Sequence, residues 1–262
     1  MRHPGADFAH RYGPWALVAG ASEGLGAAFA TRLSQHGIGV ILAARRPGPL
    51  ADLAATLPGR SITVAADLAT AEGLDTVSAA AADVQVGLVV ANAAYAPIGP
   101  FLDLDAAQAR RVLAVNCAAP VELAQRFLPA MALRGRGGFV VMSSLSGLQG
   151  TPPITLYAAT KAFGAVLADG LWAELRGTGV DVLACVAGPV RTPGLEASQL
   201  EAPGTLDAET VVTRALWALG RGPRTVPGAV ARFSQVLMSR VLPHRTAIAI
   251  VSRASRGLAP RA

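Results

Sequence analysis

Tyr157 and Lys161 stand four residues apart and are the side chains best suited to proton chemistry. On a helix, residues at this spacing share one face, so a phenol and an ammonium can point into the same cleft. A nearby cation stabilises a phenolate, and we expect it to lower the tyrosine pKa from about 10 toward neutral pH. Lys161 is the only lysine among 23 basic residues, which indicates that a planar guanidinium would not serve there. Such a pair suits carbonyl reduction, which needs a proton at the oxygen.

A glycine-rich turn occupies residues 19–26, after an apolar run and before a helical pattern. Glycines let backbone amides approach a pyrophosphate, and the N-terminus of the following helix supplies positive dipole to the anion. The turn therefore predicts a dinucleotide-binding loop. Its residues expected to contact the cofactor are Gly20, Ser22, Glu23, Gly24, Leu25 and Gly26.

The end of the second apolar run selects between the two nicotinamide cofactors. Sites for NAD place a carboxylate there, about 20 residues past the first glycine, where it binds the ribose hydroxyls. This sequence has Ala44 at that point, followed by Arg45 and Arg46. An arginine can pair with a 2′-phosphate through two charge-assisted hydrogen bonds, so we predict NADP(H). A solvated basic turn is the other interpretation, and the acidic Glu23 in the glycine-rich turn counts in its favour.

These residues need a scaffold, and the chain alternates short apolar runs with longer helical segments. Six runs are predicted strands: residues 15–19, 38–43, 61–65, 87–91, 138–143 and 180–186. A short seventh strand is expected near residues 225–226. This alternation is typical of a parallel sheet with helices on both faces. We predict a Rossmann-type α/β domain with a doubly wound, parallel, seven-stranded sheet and a cofactor across the carboxyl ends of its strands.

Together these motifs resemble the short-chain dehydrogenase/reductase family, in its single-domain form. The Gly-x3-Gly-x-Gly turn, the Tyr-x3-Lys pair and the order of the strands match that family from about residue 13 to residue 193. Ala19 stands where the family usually has threonine, and Ala187 where it usually has proline. The resemblance implies hydride transfer between nicotinamide and a carbonyl or secondary alcohol, with Tyr157 as general acid and base.

The resemblance also assigns roles outside these two motifs. It implies that Ser144, thirteen residues before Tyr157, binds the substrate oxygen, although Ser143 and Ser146 lie in the same turn. It implies that Asn116 holds a water that links Lys161 to solvent. The further cofactor contacts that it implies are Asp67 and Leu68 at the adenine, Asn92 and Ala93 after the fourth strand, Tyr157 and Lys161 themselves, and Gly188, Val190 and Thr192 after the sixth strand.

The substrate is the part of the function that the sequence determines least. Residues 94–101, 145–155 and a Pro- and Gly-rich lid at 191–206 are expected to line its pocket. Apolar side chains predominate there, so we expect a mainly apolar substrate with a carbonyl or hydroxyl group. The predicted pocket residues are Tyr95, Leu145, Ile154 and Leu195. A 3-oxoacyl-thioester reductase is an alternative, and a non-catalytic NADP(H)-binding protein is a less favoured one.

Charge is distributed unevenly along the chain. Residues 1–209 hold 14 basic and 17 acidic side chains, whereas residues 210–262 hold nine arginines and no acidic side chain. We therefore predict one domain at residues 1–227 and a basic amphipathic helical tail at 228–262. Val230, Phe233, Leu237 and Val241 recur at helical spacing in this tail. We expect this apolar face to pack on the domain or on another subunit; the alternative is contact with an anionic membrane surface or an acyl carrier.

Other features bear on partners and location. No pattern of aromatic residues interleaved with the arginines and no known DNA-reading motif is present, so nucleic-acid binding is not expected. Cys117 and Cys185 are too few and too far apart for a disulfide framework or a metal cluster. No apolar run approaches the roughly 20 residues of a membrane span, and the first residues do not resemble a signal peptide, so we expect a cytoplasmic protein. The family resemblance implies a homodimer or homotetramer, through helices around residues 103–131 and 155–176.

Overall fold

The computed structural model describes residues 6–193, 195 and 204–255. Seven strands within them form one parallel sheet: β1 (Trp15–Ala19), β2 (Gly39–Ala44), β3 (Ser61–Ala65), β4 (Val86–Ala91), β5 (Gly137–Ser144), β6 (Val180–Ala187) and β9 (Arg224–Thr225). Their order across the sheet is β3-β2-β1-β4-β5-β6-β9. The short strands β7 (Val190–Arg191) and β8 (Leu206–Asp207) pair separately. The predicted Rossmann-type sheet is confirmed.

Helices cover both faces of this sheet. They are α1 (Ala6–Tyr12), α2 (Gly24–Gln35), α3 (Pro47–Thr56), α4 (Ala71–Ala80), α5 (Ala106–Leu113), α6 (Ala119–Leu133), α7 (Thr155–Glu174), α8 (Ala208–Ala218), α9 (Ala229–Val236) and α10 (His244–Ala254). Short 3-10 turns occur at Phe101–Asp103 and Leu145–Leu148. A π-helical turn, Ala114–Ala118, joins α5 to α6, and another, Leu237–Val241, follows α9.

Two apolar cores, one on each face, hold the sheet rigid. Phe29 of α2 and Leu216 of α8 pack on one face, and Leu123 and Met131 of α6 pack on the other. Strands β1, β2 and β4 are buried along their whole length, which explains their unbroken apolar runs. Full burial of a large apolar side chain contributes about 1.5–3 kcal/mol, so the sheet is a firm platform for the loops at its carboxyl edge.

The strand order reverses between β1 and β4, which are neighbours in the sheet. The chain continues from β1 to β2 on one side and from β4 to β5 on the other. Loops that leave such a switch point diverge and open a crevice at the carboxyl ends of the strands. The glycine-rich turn follows β1 and Asn92 follows β4, so both border this crevice.

The predicted strand limits differ from the observed ones by at most one residue at either end. The differences follow from pairing rather than from side-chain type. Ala44 extends β2 because it pairs with Ala65, and Ser144 extends β5 because it pairs with Ala187. Hydrogen bonds between strands therefore set these ends, and the sequence of one apolar run does not show such bonds.

The C-terminal segment packs on the domain, but not through the predicted apolar face. Val230, Phe233 and Val241 are 52%, 68% and 64% exposed, whereas Ala231 and Ala247 are buried. The π-helical turn after α9 accounts for part of the difference, since it shifts every later side chain around the helix axis. No helix in the described part of the chain is long and apolar enough to cross a bilayer.

Two contacts join the C-terminal segment to the carboxyl edge of the sheet. Ala231 of α9 belongs to a small buried cluster with Val186 of β6, and Leu145 packs against this cluster. Ser255, directly after α10, donates a hydrogen bond from its hydroxyl to the carbonyl oxygen of Pro152. Pro152 lies three residues before α7, so the end of the segment meets the turn that leads into that helix.

Candidate active site

A cavity of about 820 Å³ follows the carboxyl edge of the sheet. Every predicted cofactor residue except Gly26 lines it, and so do Ser144, Tyr95, Ile154 and Leu195. Gly26 lies just beneath the glycine-rich turn instead, because a Cβ at that position would stand 1.9 Å from the carbonyl oxygen of Gly20. The fold thus gathers residues from six loops, far apart in sequence, around one cleft.

The glycine-rich turn is shaped to receive a phosphate group. Gly20 has φ +83°, and a Cβ there would lie 2.6 Å from the Cα of Ala93. Asn92 donates a hydrogen bond from Nδ2 to the carbonyl oxygen of Gly20, over 2.8 Å. These contacts hold the turn against the loop after β4 and leave the N-terminus of α2 at the cavity. A dinucleotide pyrophosphate fits such a cradle, where only glycine lets the backbone come close enough.

At the far end of the cavity, the two arginines after β2 differ in their partners. Arg46 forms an ion pair with Glu23, with 2.7 Å between Nη2 and Oε2. Arg45 is exposed, lines the cavity and forms no ion pair with another described residue. The sequence predicted that both would bind the cofactor, and the structure places both at the cleft, with Arg46 in a close ion pair and Arg45 acting on Asp67 only through its charge.

Sequence reasoning missed Arg111, a further cation in the cavity wall. Its Nη2 lies 2.7 Å from Oδ2 of Asp67, whose Oδ1 accepts a hydrogen bond from the amide of Ala69. Burial alone would raise the pKa of Asp67, but these two hydrogen bonds lower it overall. Arg111 lies five residues before Asn116, and nothing in the pattern of α5 separates it from its neighbour Arg110.

Helix α7 carries Tyr157 and Lys161 into the cavity in its first two turns. The ammonium nitrogen of Lys161 lies 5.4 Å from the centroid of the Tyr157 ring and donates a hydrogen bond to the carbonyl oxygen of Met142, over 2.7 Å. Lys161 is buried, and the pair meets at the inner end of the cleft. The predicted juxtaposition of phenol and ammonium is therefore present.

The predicted pKa of Tyr157 was wrong. Burial raises the pKa of this phenol to about 12, and a hydrogen bond with Ser144 acts in the opposite direction. Burial also lowers the pKa of Lys161 to about 8, with the charge of Cys117 acting against it. The cause is desolvation, which penalises the charged form of both groups and outweighs the attraction that the i, i+4 spacing suggests.

Three serines, Ser143, Ser144 and Ser146, lie at or just after the end of β5, and their hydrogen-bond partners differ. Ser143 is buried and donates its hydroxyl to the carbonyl oxygen of Lys161, over 2.7 Å. Ser144 accepts hydrogen bonds from the amide and the hydroxyl of Ser146, at 3.2 and 2.9 Å. The Ser144 hydroxyl can still donate, and it is the one hydrogen-bonded to Tyr157.

The sequence suggested that Asn116 lies in a regular helix. In the structure it lies in the π-helical turn instead. Its side chain is 5% exposed. Oδ1 accepts from the amide of Tyr95 over 2.8 Å, and Nδ2 donates to the carbonyl oxygen of Tyr95 and to Oγ1 of Thr160, each over 3.0 Å. Single π-helical turns are frequent at functional sites. This one ties the loop after β4 to the residue before Lys161.

The substrate side of the cavity agrees with the sequence at three of four residues. Tyr95, Ile154 and Leu195 line it, but Leu145 does not. The 3-10 turn after β5 directs Leu145 toward α9, where it packs against Ala231 and its neighbours. Residues 194 and 196–203 of the predicted lid lie outside the described residues.

A second cavity, of about 240 Å³, adjoins the first. Ile98, Ile154 and Tyr157 line both. The amide of Gly99 donates to the carbonyl oxygen of Pro153 over 3.0 Å, so the two loops that form its walls are joined. Space for a substrate thus extends to either side of Tyr157. Within the described residues no cluster of His, Cys, Asp or Glu could hold a metal.

A dinucleotide crevice that ends at a half-buried phenol and a buried ammonium defines the class of Rossmann-type oxidoreductases that use a nicotinamide cofactor. The family model for short chain dehydrogenase matches residues 14–202, and the chain belongs to that family. The match covers the glycine-rich turn and every predicted catalytic residue. The family assignment made from the sequence is confirmed.

Relatives with known activities show what the chain is similar to. A 7beta-hydroxysteroid dehydrogenase from Clostridium sardiniense is 32% identical over 191 residues, which cover 71% of this chain and 73% of the relative. The very-long-chain 3-oxoacyl-CoA reductase of Homo sapiens is 29% identical over 224 residues, 81% of this chain and 70% of the relative. A short-chain dehydrogenase from Sphingobium yanoikuyae, solved in complex with NADPH, is 28% identical with a TM-score of 0.76 and covers 87% of this chain and 96% of its own.

Proposed function

We propose that this protein is an NADP(H)-dependent oxidoreductase that interconverts a ketone and a secondary alcohol on a mainly apolar substrate. The observation that carries the proposal is the meeting of Ser144, Tyr157 and Lys161 at the inner end of the cofactor cavity. Each of these residues comes from an element that the sheet holds in place, β5 or the start of α7. Acid and base groups so fixed are what proton transfer to a developing alkoxide requires.

When bound, the nicotinamide ring supplies or accepts the hydride at the substrate carbon. Tyr157 donates its phenolic proton to the substrate oxygen, and Ser144 donates a second hydrogen bond to that oxygen. Lys161 stabilises the phenolate that remains, since an ammonium within about 6 Å favours the charged form of a neighbouring acid. In the reverse direction the phenolate accepts the alcohol proton.

The phenolate must regain a proton after each reduction, and Asn116 is the proposed support for that step. We propose that it holds a water between Lys161 and solvent, as the family resemblance implies. Its hydrogen bonds to Tyr95 and to Thr160 support this role, because they fix the π-helical turn next to Lys161. Asn116 acts here by position, not by exchanging protons itself.

The preference for NADP(H) is supported by the end of β2. Ala44 offers no carboxylate to the adenosine ribose, and Arg45 offers an exposed guanidinium that forms no close ion pair in the described part of the chain, although its charge acts on Asp67. A guanidinium binds a phosphate more strongly than it binds two hydroxyls. The similarity to a dehydrogenase solved with NADPH agrees with this choice.

The proposed substrate is a bulky apolar ketone. Ile98, Ile154 and Leu195 supply apolar walls, and the second cavity adds room beyond Tyr157. The relatives act on hydroxysteroids and on 3-oxoacyl-CoA, according to their names. Arg191 is the cation of the lid that could meet an acidic group, and it forms an exposed ion pair with Asp207 at 2.6 Å.

The test is NADPH consumption by the full-length protein with a 7-ketosteroid, a 3-oxoacyl-CoA and a bulky aryl ketone, each with the Tyr157→Phe variant as control. Turnover of the steroid or aryl ketone that is lost in the variant is the expected result. Turnover of the thioester alone would make the chain a 3-oxoacyl-thioester reductase. NADPH binding with no turnover of any substrate would favour a non-catalytic binding protein.

Assembly and partners complete the proposal. We propose a homodimer formed through α5 and α7. Exposed apolar side chains on these helices support it: Leu113, Phe163 and Val166 are 47%, 40% and 65% exposed. Burial of such side chains between two copies is a favourable exchange. The exposed Val230 and Phe233 of α9 are the surface proposed for a membrane or an acyl carrier.

A further inference from the structure

The ion pair between Glu23 and Arg46 spans the end of the cavity where the adenosine ribose would lie. Glu23 directly precedes α2 and Arg46 directly precedes α3, and neither side chain caps its own helix. Both line the cavity, and their charged atoms are 2.7 Å apart. A capping side chain accepts a backbone N–H, which a guanidinium cannot do, so the contact that the structure shows for the Arg46 side chain is the one with Glu23 of the other loop.

An ion pair in this position is easily exchanged. The side chains of Glu23 and Arg46 are 54% and 59% exposed, and a pair so open to water contributes little to stability. A 2′-phosphate carries about −1.5 to −2 charge and three acceptor oxygens, so it is a stronger partner for a guanidinium than one carboxylate is. The hydrogen bond from Nη2 of Arg46 to Glu23 competes with a contact to that phosphate but does not exclude one, because a guanidinium has five N–H donors.

We infer that Glu23 is a positioning residue that competes with the 2′-phosphate for Arg46, so that Arg46 contributes less to binding the phosphate than Arg45 does. The inference rests on the proposed NADP(H) preference. It goes further, because it states which arginine contributes more to binding the 2′-phosphate and which side chain competes for the other. It also explains why an acidic residue is compatible with a phosphate site. Its charge is matched by Arg46 and is not presented to the phosphate alone.

The inference predicts that two substitutions are coupled. Glu23→Gln frees Arg46, and 2′-phosphate binding tightens about twofold to fivefold, the range that exposed ion pairs contribute. In an Arg46→Ala background the same substitution has no effect, because no arginine is left to release. Direct repulsion between Glu23 and the phosphate would instead give the same gain in both backgrounds. Such a cycle isolates the interaction between two side chains.

The experiment is calorimetric titration of the full-length protein with 2′,5′-ADP and with 5′-AMP at low salt, where screening is weak. The proteins compared are the wild type, Glu23→Gln, Arg46→Ala and the double variant. Glu72→Gln is the matched control, since Glu72 is an exposed acid outside the cavity. Tighter binding of 2′,5′-ADP in Glu23→Gln alone, with 5′-AMP unchanged, supports the inference.

Three outcomes would overturn it. These are an equal gain in the Arg46→Ala background, no gain in Glu23→Gln, and weaker binding in Glu23→Gln. Failure of the underlying proposal has a different signature: the wild type then binds 2′,5′-ADP no more tightly than 5′-AMP. In that case Arg45→Ala also leaves the two affinities unchanged.

Discussion

Nδ2 of Asn116 lies 3.0 Å from Oγ1 of Thr160 and ties the π-helical turn to the residue that precedes Lys161. The same side chain holds both backbone groups of Tyr95. One buried amide therefore connects the substrate loop, the π-helical turn and the catalytic helix. Thr160 is buried, so removal of the amide leaves its hydroxyl without this donor.

The first prediction concerns this amide. Asn116→Ala is expected to lower the turnover number by about tenfold or more, because Lys161 loses its fixed surroundings, and to cost about 1–3 kcal/mol of stability for the unsatisfied groups. Turnover and thermal unfolding measure the two effects. Thr160→Val removes one of the three hydrogen bonds and is expected to cause a smaller loss of turnover. A well-folded Asn116→Ala variant with normal turnover would contradict the role.

The second prediction concerns the proton donor. Tyr157→Phe should lose at least ~100-fold in turnover, while NADPH binding survives, because only the phenolic oxygen is removed. Steady-state rates and a fluorescence titration with NADPH check the two parts. Lys161→Arg should also be severely impaired, since the larger, planar guanidinium cannot take the place of the buried ammonium. Near-normal rates in Tyr157→Phe would refute the mechanism.

The third prediction concerns pH. Burial lowers the pKa of Lys161 to about 8, and lysine is charged below its pKa and neutral above it. The rate of ketone reduction should therefore fall as pH rises through about 8, while Tyr157, with its pKa raised to about 12, stays protonated throughout. The measurement is kcat/KM against pH, with Lys161→Ala as control. If that variant, slower overall, shows the same fall at pH 8, another group is responsible.

The fourth prediction concerns the choice of cofactor. NADPH should exceed NADH by roughly tenfold or more in kcat/KM, equivalent to ~1.4 kcal/mol, because Arg45 meets the 2′-phosphate and no carboxylate holds the ribose. Arg45→Ala should remove most of this preference and leave NADH kinetics unchanged. Equal efficiencies in the wild type would show that Arg45 is an ordinary surface residue.

The fifth prediction concerns the C-terminal segment. Truncation after Pro227 should lower the melting temperature, because it uncovers the buried cluster around Val186 and Leu145 and removes the Ser255 contact. Thermal unfolding measures this loss. Phe233→Ser is the control: that ring is 68% exposed, so the melting temperature should stay the same. A truncated protein that melts like the wild type would show that the segment does not support the fold.

The same variants test contact with a membrane. If the exposed face of α9 binds anionic lipid, the full-length protein sediments with anionic vesicles at low salt and Phe233→Ser does not. Absence of wild-type sedimentation leaves that face to an acyl carrier or to a second subunit. A pull-down with acyl carrier protein distinguishes these two.

The sheet could be predicted from sequence because its signal is local. Six of the seven strands of the main sheet are mostly apolar runs of five to eight residues, whereas the seventh, Arg224–Thr225, exists as a strand only through its pairing with β6. The Tyr157–Lys161 pair could be predicted for the same reason, because a helix fixes the spacing of its own side chains. Local rules are sufficient wherever one element contains both residues of a contact.

The features that the sequence did not predict depend on contacts between residues far apart in the chain. Glu23 and Arg46 are 23 positions apart, and only the folded chain shows that their charges cancel. Arg111 reaches Asp67 across 44 positions. Leu145 does not line the cavity because it packs against the cluster that contains Ala231, a residue 86 positions later in the chain. The pKa of Tyr157 rose because burial, which spacing does not report, dominated the nearby charge.

The Ser255–Pro152 hydrogen bond has a practical consequence for handling the protein. It places the last described residue beside the turn that leads to Ile154, a residue that lines both cavities. The other end of the chain is anchored at the opposite edge of the sheet, where the hydroxyl of Tyr12 binds Asp181 near the beginning of β6. A group attached directly after Ser255 would therefore lie near the residues that line the two cavities, whereas one attached directly before α1 would lie toward the other end of the strands.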